Sequence, residues 1–212
     1  MQLFGGIFFM TVNMFMGNFF NTLLTFQAER PVFLREFANK TYDISPYFFA
    51  KLFVDMPVML LTPMIATLMV YWSLNLERTL EQFFAHYICL TFCALTSSSF
   101  GYLLSALFDN EQMAQTLAPL FIMPLMLFGG LFTNNAESPP YVAWIAYISP
   151  IKYTGQALLQ IEFMHDHYGI TDNLMKFLDF EMPWYDCLLV MAIQVIAFRI
   201  IGYFLFRAMV SK

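Results

Sequence analysis

The sequence has 212 residues, of which 59% are hydrophobic and only 12% are charged. That charged fraction is about half of the usual value for a soluble domain, and a water-soluble fold of this length could not bury so much apolar surface. The formal net charge is −5 and the charges occur in a few short stretches, so the chain has no basic face for a nucleic acid partner.

Five hydrophobic segments indicate helices that cross a bilayer, since one crossing takes about 20 helical residues. They predict an all-α integral membrane protein, a polytopic helical bundle that forms one domain over residues 1–212. The predicted spans are residues 3–26, 56–74, 83–107, 113–132 and 187–206. The turn between the third and fourth spans is short, so these two are expected to be antiparallel neighbours.

Two polar stretches separate the spans. Residues 27–55 hold many of the charges and are predicted to form a cytosolic loop. Residues 134–186 contain an apolar run that is too short to cross, followed by polar residues; this pattern favours a re-entrant helical hairpin, which is tolerated where protein surrounds it, and then an extracellular loop. His165 and His167 in that loop are interpreted as solvated residues, and no metal site is predicted.

The distribution of basic residues predicts the orientation. The side that carries the 27–55 loop has more Lys and Arg, so the positive-inside rule places the N-terminus outside and the C-terminus in the cytosol. The six residues on that side are Arg30, Arg35, Lys40, Lys51, Arg207 and Lys212, against Arg78, Lys152 and Lys176 on the other. Five spans that begin outside lead us to expect one earlier span that this chain lacks.

Three groups of motifs carry a family resemblance. The first is ERPVFLRE at residues 29–36 with PYFFAK at 46–51 and DMP at 55–57. The second is FGGLF at 128–132 with WIAYISP at 144–150, and the third is RIIGYFLFR at 199–207. In this order and spacing they resemble the G subfamily of ATP-binding cassette transporters, the White-type half transporters. The resemblance covers nearly the whole chain and equates the five spans with the family's second to sixth membrane helices.

The resemblance implies the membrane half of an ATP-driven exporter of a lipophilic substrate such as a lipid, sterol or drug. Its expected partners are the bilayer, a second membrane half and nucleotide-binding ATPase domains. ATP and magnesium are expected on those domains, because this sequence has no G-x-x-x-x-G-K-[ST] loop and no soluble segment to carry one. The chain is therefore expected to have no catalytic site and to lack the family's ATPase domain and first membrane helix. Whether it is a fragment, an incomplete gene model or a separate subunit stays open, as does the membrane in which it lies.

The resemblance also implies three functional sites. The substrate cavity is expected at Asn13, Met16, Pro119 and Met123. The extracellular gate is expected at Gly129, Gly130, Leu131 and Phe132. The contact that couples the membrane half to its ATPase is expected at Glu29, Arg30, Phe33, Arg35 and Glu36, in a short amphipathic helix over residues 29–39.

Each site has a structural alternative. The polar side chains of the first span could tie helix to helix instead of lining a cavity; they are Thr11, Asn13, Asn18, Asn21 and Thr22. The double glycine could cap a helix, and the charged loop could only anchor the chain at the membrane interface. The alternative function is an ATP-independent helical channel or transporter, for which we would expect a charged or carbonyl-lined pathway or an inverted repeat. The sequence shows neither.

The third span has a regular pattern of small residues. Cys89, Cys93, Ser97, Gly101 and Ser105 recur every four residues, which predicts a stripe against which another helix packs closely. Two ionisable residues also lie within spans, His86 in the third and Arg199 in the fifth. Neither has an acidic partner at helical spacing in its own span, so the sequence gives no support for a proton relay.

Overall fold

The computed structural model describes residues 2–39, 44–73, 79–108, 110–129, 140–162 and 182–210. Over these ranges the chain forms seven helices and no strand, which confirms the predicted all-α fold. The helices are α1 (Gln2–Ala38), α2 (Ile44–Ser73), α3 (Leu80–Leu107), α4 (Glu111–Leu127), α5 (Pro140–Ile148), α6 (Pro150–Glu162) and α7 (Trp184–Val210).

Four of the described helices, α1, α2, α3 and α7, are long and apolar enough to cross a membrane. The fourth predicted span is occupied by α4, which has only 17 residues and contains Pro119 and Pro124. A helix of that length measures about 25 Å, whereas a crossing requires about 30 Å. Its predicted continuation to Phe132 lies outside the described residues. The described part therefore holds four helices of crossing length, where the sequence predicted five.

The first helix is longer than its hydrophobic segment. α1 has 37 residues and continues through Pro31 to Ala38, so the charged stretch from Glu29 extends the span and does not form a separate short helix. α2 begins at Ile44, twelve residues before the predicted start of its span. The stretch 27–55, predicted as a loop, is thus helical on both sides of residues 40–43, which lie outside the described residues. Hydropathy locates the end of the apolar segment, but it does not locate the end of the helix. The backbone hydrogen bonds of a helix can continue into polar sequence.

The central helix is α3, with 17 of its 28 residues buried. It contacts α1, α2, α6 and α7. A Cβ atom at Gly101 would lie 2.8 Å from the carbonyl oxygen of Phe19, so a glycine is needed for α1 and α3 to approach this closely. The structure confirms the predicted stripe as a packing surface, because Cys89, Cys93, Ser97, Gly101 and Ser105 are all buried.

The two short helices α5 and α6 meet at a buried elbow, Ser149. The Gln194 amide of α7 donates a hydrogen bond to the Ile148 carbonyl at 3.2 Å, which fixes the elbow beside α7. Gln194 lies ten residues into α7, about 15 Å from its start and about half of the apolar thickness of a bilayer. At the far end of α6, the Ile161 carbonyl accepts a hydrogen bond from Gln82, near the start of α3. α6 therefore runs from the middle of α7 to the level at which α3 begins, and the re-entrant hairpin stays a prediction.

One end of the bundle gathers aromatic and charged side chains. The Phe33 ring of α1 lies 4.4 Å from the Tyr47 ring of α2 and 5.0 Å from the Phe206 ring of α7, measured between ring centroids. Arg30 of α1 also contacts the Phe108 carbonyl at the end of α3, three residues before α4 begins. The C-terminal ends of α1, α3 and α7 and the starts of α2 and α4 therefore lie on the same side. We call this side the charged end.

Candidate functional site

The predicted cavity residues lie on two helices that contact each other, α1 and α4. Asn13 and Met123 are exposed, and Met16 and Pro119 are half-buried. None of the four belongs to the buried core of the chain. Asn13 and Met123 are therefore open in the isolated chain and Met16 and Pro119 partly so, and the cavity itself stays a prediction.

The exposed face of α1 is not an ordinary lipid-facing surface. Its exposed residues follow one another every four positions, and we call them the glycine-asparagine stripe: Gly5, Phe9, Asn13, Gly17 and Asn21. At Gly5 and Gly17 a Cβ atom would meet nothing within 4 Å, so the stripe is open along its length. The Asn13 side-chain amide donates a hydrogen bond within its own helix, to the Phe9 carbonyl at 2.8 Å. Amides exposed within a span are costly in lipid, so this face requires a protein or water neighbour.

Other polar groups of α1 face inward and hold helices together. The Thr22 hydroxyl donates a hydrogen bond to the Ser98 hydroxyl of α3 at 3.0 Å. The Asn18 side-chain oxygen accepts one from Thr62 of α2 at 3.4 Å. The structural alternative is therefore realised at Asn18 and Thr22. Asn13 and Asn21 face outward, and the cavity predicted at Asn13 stays a prediction.

At the predicted gate, the structure describes only Gly129. This residue is buried, and a Cβ atom there would lie 3.0 Å from the Leu125 carbonyl oxygen and 3.4 Å from the Ile151 side chain of α6. The tighter of these contacts is with the preceding turn of the same segment, and the distance to α6 is an ordinary van der Waals contact. Gly130, Leu131 and Phe132 lie outside the described residues, so the gate stays a prediction.

The five predicted coupling residues do not share one face of α1. Phe33 is buried among aromatic rings, and Arg30 is buried with a hydrogen bond from its guanidinium to the Phe108 carbonyl. Arg35 is exposed and Glu36 half-buried. The outward surface next to Arg35 is formed by Val32 and Leu34. A partner at this surface would touch the outward group, whereas the inward group connects α1 to the bundle.

Glu29, the remaining coupling residue, begins a polar network that crosses four helices. The Lys51 ammonium of α2 lies 2.7 Å from a carboxylate oxygen of Glu29 and 3.3 Å from one of Asp55. Asp55 accepts a hydrogen bond from the Tyr102 hydroxyl of α3, and the Arg199 guanidinium of α7 lies 5.8 Å from the Tyr102 ring centroid. We call Glu29, Lys51, Asp55, Tyr102 and Arg199 the polar network.

Sequence reasoning missed the surroundings of both ionisable residues within spans. Arg199 lies over Tyr102, which connects it to Asp55 on a third helix. His86 Nε2 lies 3.9 Å from a carboxylate oxygen of Glu162 on α6, and both side chains are buried. Helical spacing within one span reveals neither contact, because Asp55 and Glu162 lie on other helices than Arg199 and His86.

The described residues contain no candidate metal site. Among the described residues, no group of three or more His, Cys, Asp or Glu side chains is placed to hold a metal ion. The three cysteines are free and buried. His165 and His167 lie outside the described residues.

The family model of the ABC-2 type transporter matches residues 1–163. The chain belongs to the ABC-2 type transporter family. Within that family it is similar to "Protein white" of Ceratitis capitata, 35% identical over 159 residues that make up 75% of this chain and 23% of the relative. These matches confirm the resemblance to the White and G-type membrane domain.

Two further ABC transporters show the same relationship. The broad substrate specificity ATP-binding cassette transporter ABCG2 of Rattus norvegicus is 32% identical over 165 residues, covering 77% of this chain and 25% of the relative. ABC transporter G family member 1 of Dictyostelium discoideum is 31% identical over 157 residues, covering 72% and 20%. The ABC-2 type chain described here thus spans about a quarter of the length of the curated relatives it matches.

Proposed function

We propose that this chain is the membrane-spanning part of an ATP-driven exporter that moves a lipophilic substrate, such as a lipid, sterol or drug, across a membrane. The observation that carries the proposal is the match to the ABC-2 type transporter over residues 1–163. In this proposal ATP and magnesium bind to nucleotide-binding domains, and the chain described here contributes the path of the substrate and no catalytic group.

The proposed exporter needs a second membrane half. The glycine-asparagine stripe supports this, because its exposed amides need a neighbour other than lipid. Asn13 and Asn21 are exposed within a candidate span, where contact with lipid tails would be costly. Small residues such as Gly17 let helix backbones approach closely in membranes. Two membrane halves that face each other across this stripe would enclose a cavity lined by Asn13 and Met16 of α1 and by Pro119 and Met123 of α4.

Cross-linking tests this arrangement. Cysteine is introduced at Phe9 on the stripe and at Met123 on α4, whose native side chains are 69% and 62% exposed. Ile193 of α7 is the matched control, because its side chain is 61% exposed. In native membranes we expect copper phenanthroline to link the Phe9→Cys and Met123→Cys chains into dimers at least fivefold more efficiently than Ile193→Cys. The native cysteines are buried and give little background. Equal yields at all three positions would refute the shared face.

The proposed exporter also needs the charged end in the cytosol, where an ATPase could contact α1. The outward group of Val32, Leu34 and Arg35 provides apolar surface and a positive charge for that contact. The inward group would then pass the displacement to the bundle. This orientation follows from the excess of Lys and Arg at the charged end and places the C-terminus in the cytosol.

Impermeant maleimide labelling tests the orientation. Val32 at the charged end and Leu80 at the opposite end of α3 are both exposed, so Cys variants at both positions are reactive wherever the reagent reaches them. In sealed right-side-out vesicles we expect labelling of Leu80→Cys alone, and after permeabilisation labelling of both. Labelling of Val32→Cys from outside would invert the proposed machine and exclude a cytosolic ATPase at this surface.

Export itself is tested in proteoliposomes that contain the complete ATPase-containing assembly. We expect fluorescent sterol or phospholipid to move with ATP and to stop when ATP is replaced by a non-hydrolysable analogue. Movement of the same extent without nucleotide would favour the ATP-independent transporter instead. The substrate class is then read from the panel of lipids and drugs that compete.

A further inference from the structure

Two side chains of α1 hold the last turn of α3. Gln27 Nε2 donates hydrogen bonds to the carbonyl oxygens of Ser105 at 2.7 Å and Phe108 at 2.9 Å. The Arg30 guanidinium donates to the same Phe108 carbonyl. The final carbonyl groups of a helix have no partner within it, so these donors satisfy acceptors that would otherwise be unpaired. We call Gln27 and Arg30 the carbonyl clamp.

The carbonyl clamp is buried and reinforced on both sides. Ser105 returns a hydrogen bond from its hydroxyl to the Leu23 carbonyl of α1 at 3.2 Å. Leu23, Gln27 and Arg30 are spaced by four and three residues, so they lie on one face of α1. The positive charge of Arg30 at the C-terminal end of α3 is also favoured by the helix dipole. At this level α1 and α3 are therefore expected to move together.

The segment that follows α3 leads directly into α4. Phe108 lies three residues before Glu111, the first residue of α4, and its ring centroid is 6.1 Å from that of Phe121. Ala114 and Ala118 of α4 are fully buried, so the start of α4 is seated against the bundle. A displacement of the Phe108 carbonyl must shift this start or break the buried hydrogen bonds.

We propose that the carbonyl clamp transmits movement of the charged end of α1 to α4, the helix that carries the predicted cavity residues Pro119 and Met123. The source of the movement rests on the proposed function, whereas the mechanical link between α1 and α4 does not. The polar network leads from Glu29 to α2 and α7, whereas Gln27 and Arg30, which lie on either side of Glu29 in the same turn of α1, lead to α3. The clamp is therefore a separate route from the same level of α1. Gln27 and Arg30 are positioning residues in this proposal and touch no substrate.

Hydrogen exchange on the chain in lipid nanodiscs tests the mechanical link. In Gln27→Leu combined with Arg30→Met we expect the amides of residues 105–117 to exchange at least tenfold faster, because three hydrogen bonds are lost and one of typical strength accounts for about tenfold. Those of residues 80–91, at the far end of α3, should keep their rates. Thr25→Val is the control, because the Thr25 hydroxyl bonds within α1, to the Asn21 carbonyl. Unchanged exchange over 105–117 would overturn the proposed clamp.

Spin-label distances in the complete ATPase-containing assembly test the transmission. Labels at Ala38→Cys on α1 and Met113→Cys on α4 are each measured against a reference at Ile193→Cys on α7, which is outside the clamp; all three positions are exposed. On addition of nucleotide we expect both distances to change in the wild type. In the double variant we expect the change in the Ala38 distance to persist and the change in the Met113 distance to fall by at least half. The Met113 change should recover in part when Arg30→Lys replaces Arg30→Met.

The outcomes separate the two proposals. A full Met113 change in the double variant overturns the clamp as a route and leaves the exporter proposal intact. No Ala38 change in the wild type counts against the proposed function instead. In that case the exchange rates over residues 105–117 alone decide whether the clamp links α1 to α4.

Discussion

Replacement of Lys51 by Met is expected to lower the free energy of unfolding by about 3 kcal/mol. The Lys51 side chain is only 10% exposed, and its ammonium lies between the carboxylates of Glu29 and Asp55, which are 40% and 21% exposed. Without the cation, two like charges remain close together in a poorly solvated place. The value lies at the lower end for a broken buried ion pair, because water reaches Glu29. Reversible unfolding in mixed detergent micelles measures the loss.

Two further variants isolate the charge effect in this prediction. Lys51→Arg keeps the cation and is expected to stay within about 1 kcal/mol of the wild type. Adding Glu29→Gln to Lys51→Met removes one stranded carboxylate, so the double variant should recover part of the loss, and the double-mutant cycle gives the coupling energy directly. A loss below about 1 kcal/mol for Lys51→Met would show that the polar network contributes little to stability.

Features that lie within a single helix could be predicted from the sequence. The apolar segments located the helices, and the repeat of small residues from Cys89 to Ser105 located a packing surface of α3. This surface meets α6 at Cys89 and α1 at Gly101 and Ser105. The interrupted polarity after Tyr141 indicated a hairpin, and the elbow at Ser149 lies where such a hairpin would turn. These predictions needed only helical periodicity and the length of a crossing.

Helix ends and contacts between helices were not readable in the same way. The predicted boundary at residue 26 followed hydropathy, but α1 continues to Ala38 because a helix needs no apolar surroundings to keep its backbone hydrogen bonds. The polar network joins residues as far apart in sequence as Asp55 and Tyr102, so no spacing rule could reveal it. The split of the coupling residues into an inward and an outward group also required the α1 register against α3.

Replacement by valine should lower the stability of the chain at Gly101 of α3, which faces α1, and leave it nearly unchanged at Gly17 of α1, which faces outward. At Gly101 of α3 a Cβ atom would lie 2.8 Å from the backbone oxygen of Phe19 and 3.3 Å from the Thr22 side chain. A backbone atom cannot rotate away as a flexible side chain can. Gly101→Val should therefore force α1 from α3 and cost about 3 kcal/mol or more, at the upper end for overpacked sites. Thermal unfolding in nanodiscs measures this loss.

Gly17→Val on α1 is the matched control for that prediction, because a Cβ atom there meets nothing within 4 Å in the isolated chain. The free energy of unfolding of the single chain should stay within about 1 kcal/mol, since valine replaces glycine in a helix without a clash. If the glycine-asparagine stripe faces a second membrane half, the same variant should cut the cross-linking yield of Phe9→Cys by at least half, because the added side chain holds the two α1 helices apart. If Gly17→Val leaves both the stability and the cross-linking yield unchanged, Gly17 does not lie in the interface. Equal losses of stability for Gly17→Val and Gly101→Val would contradict the difference in packing on which both predictions depend.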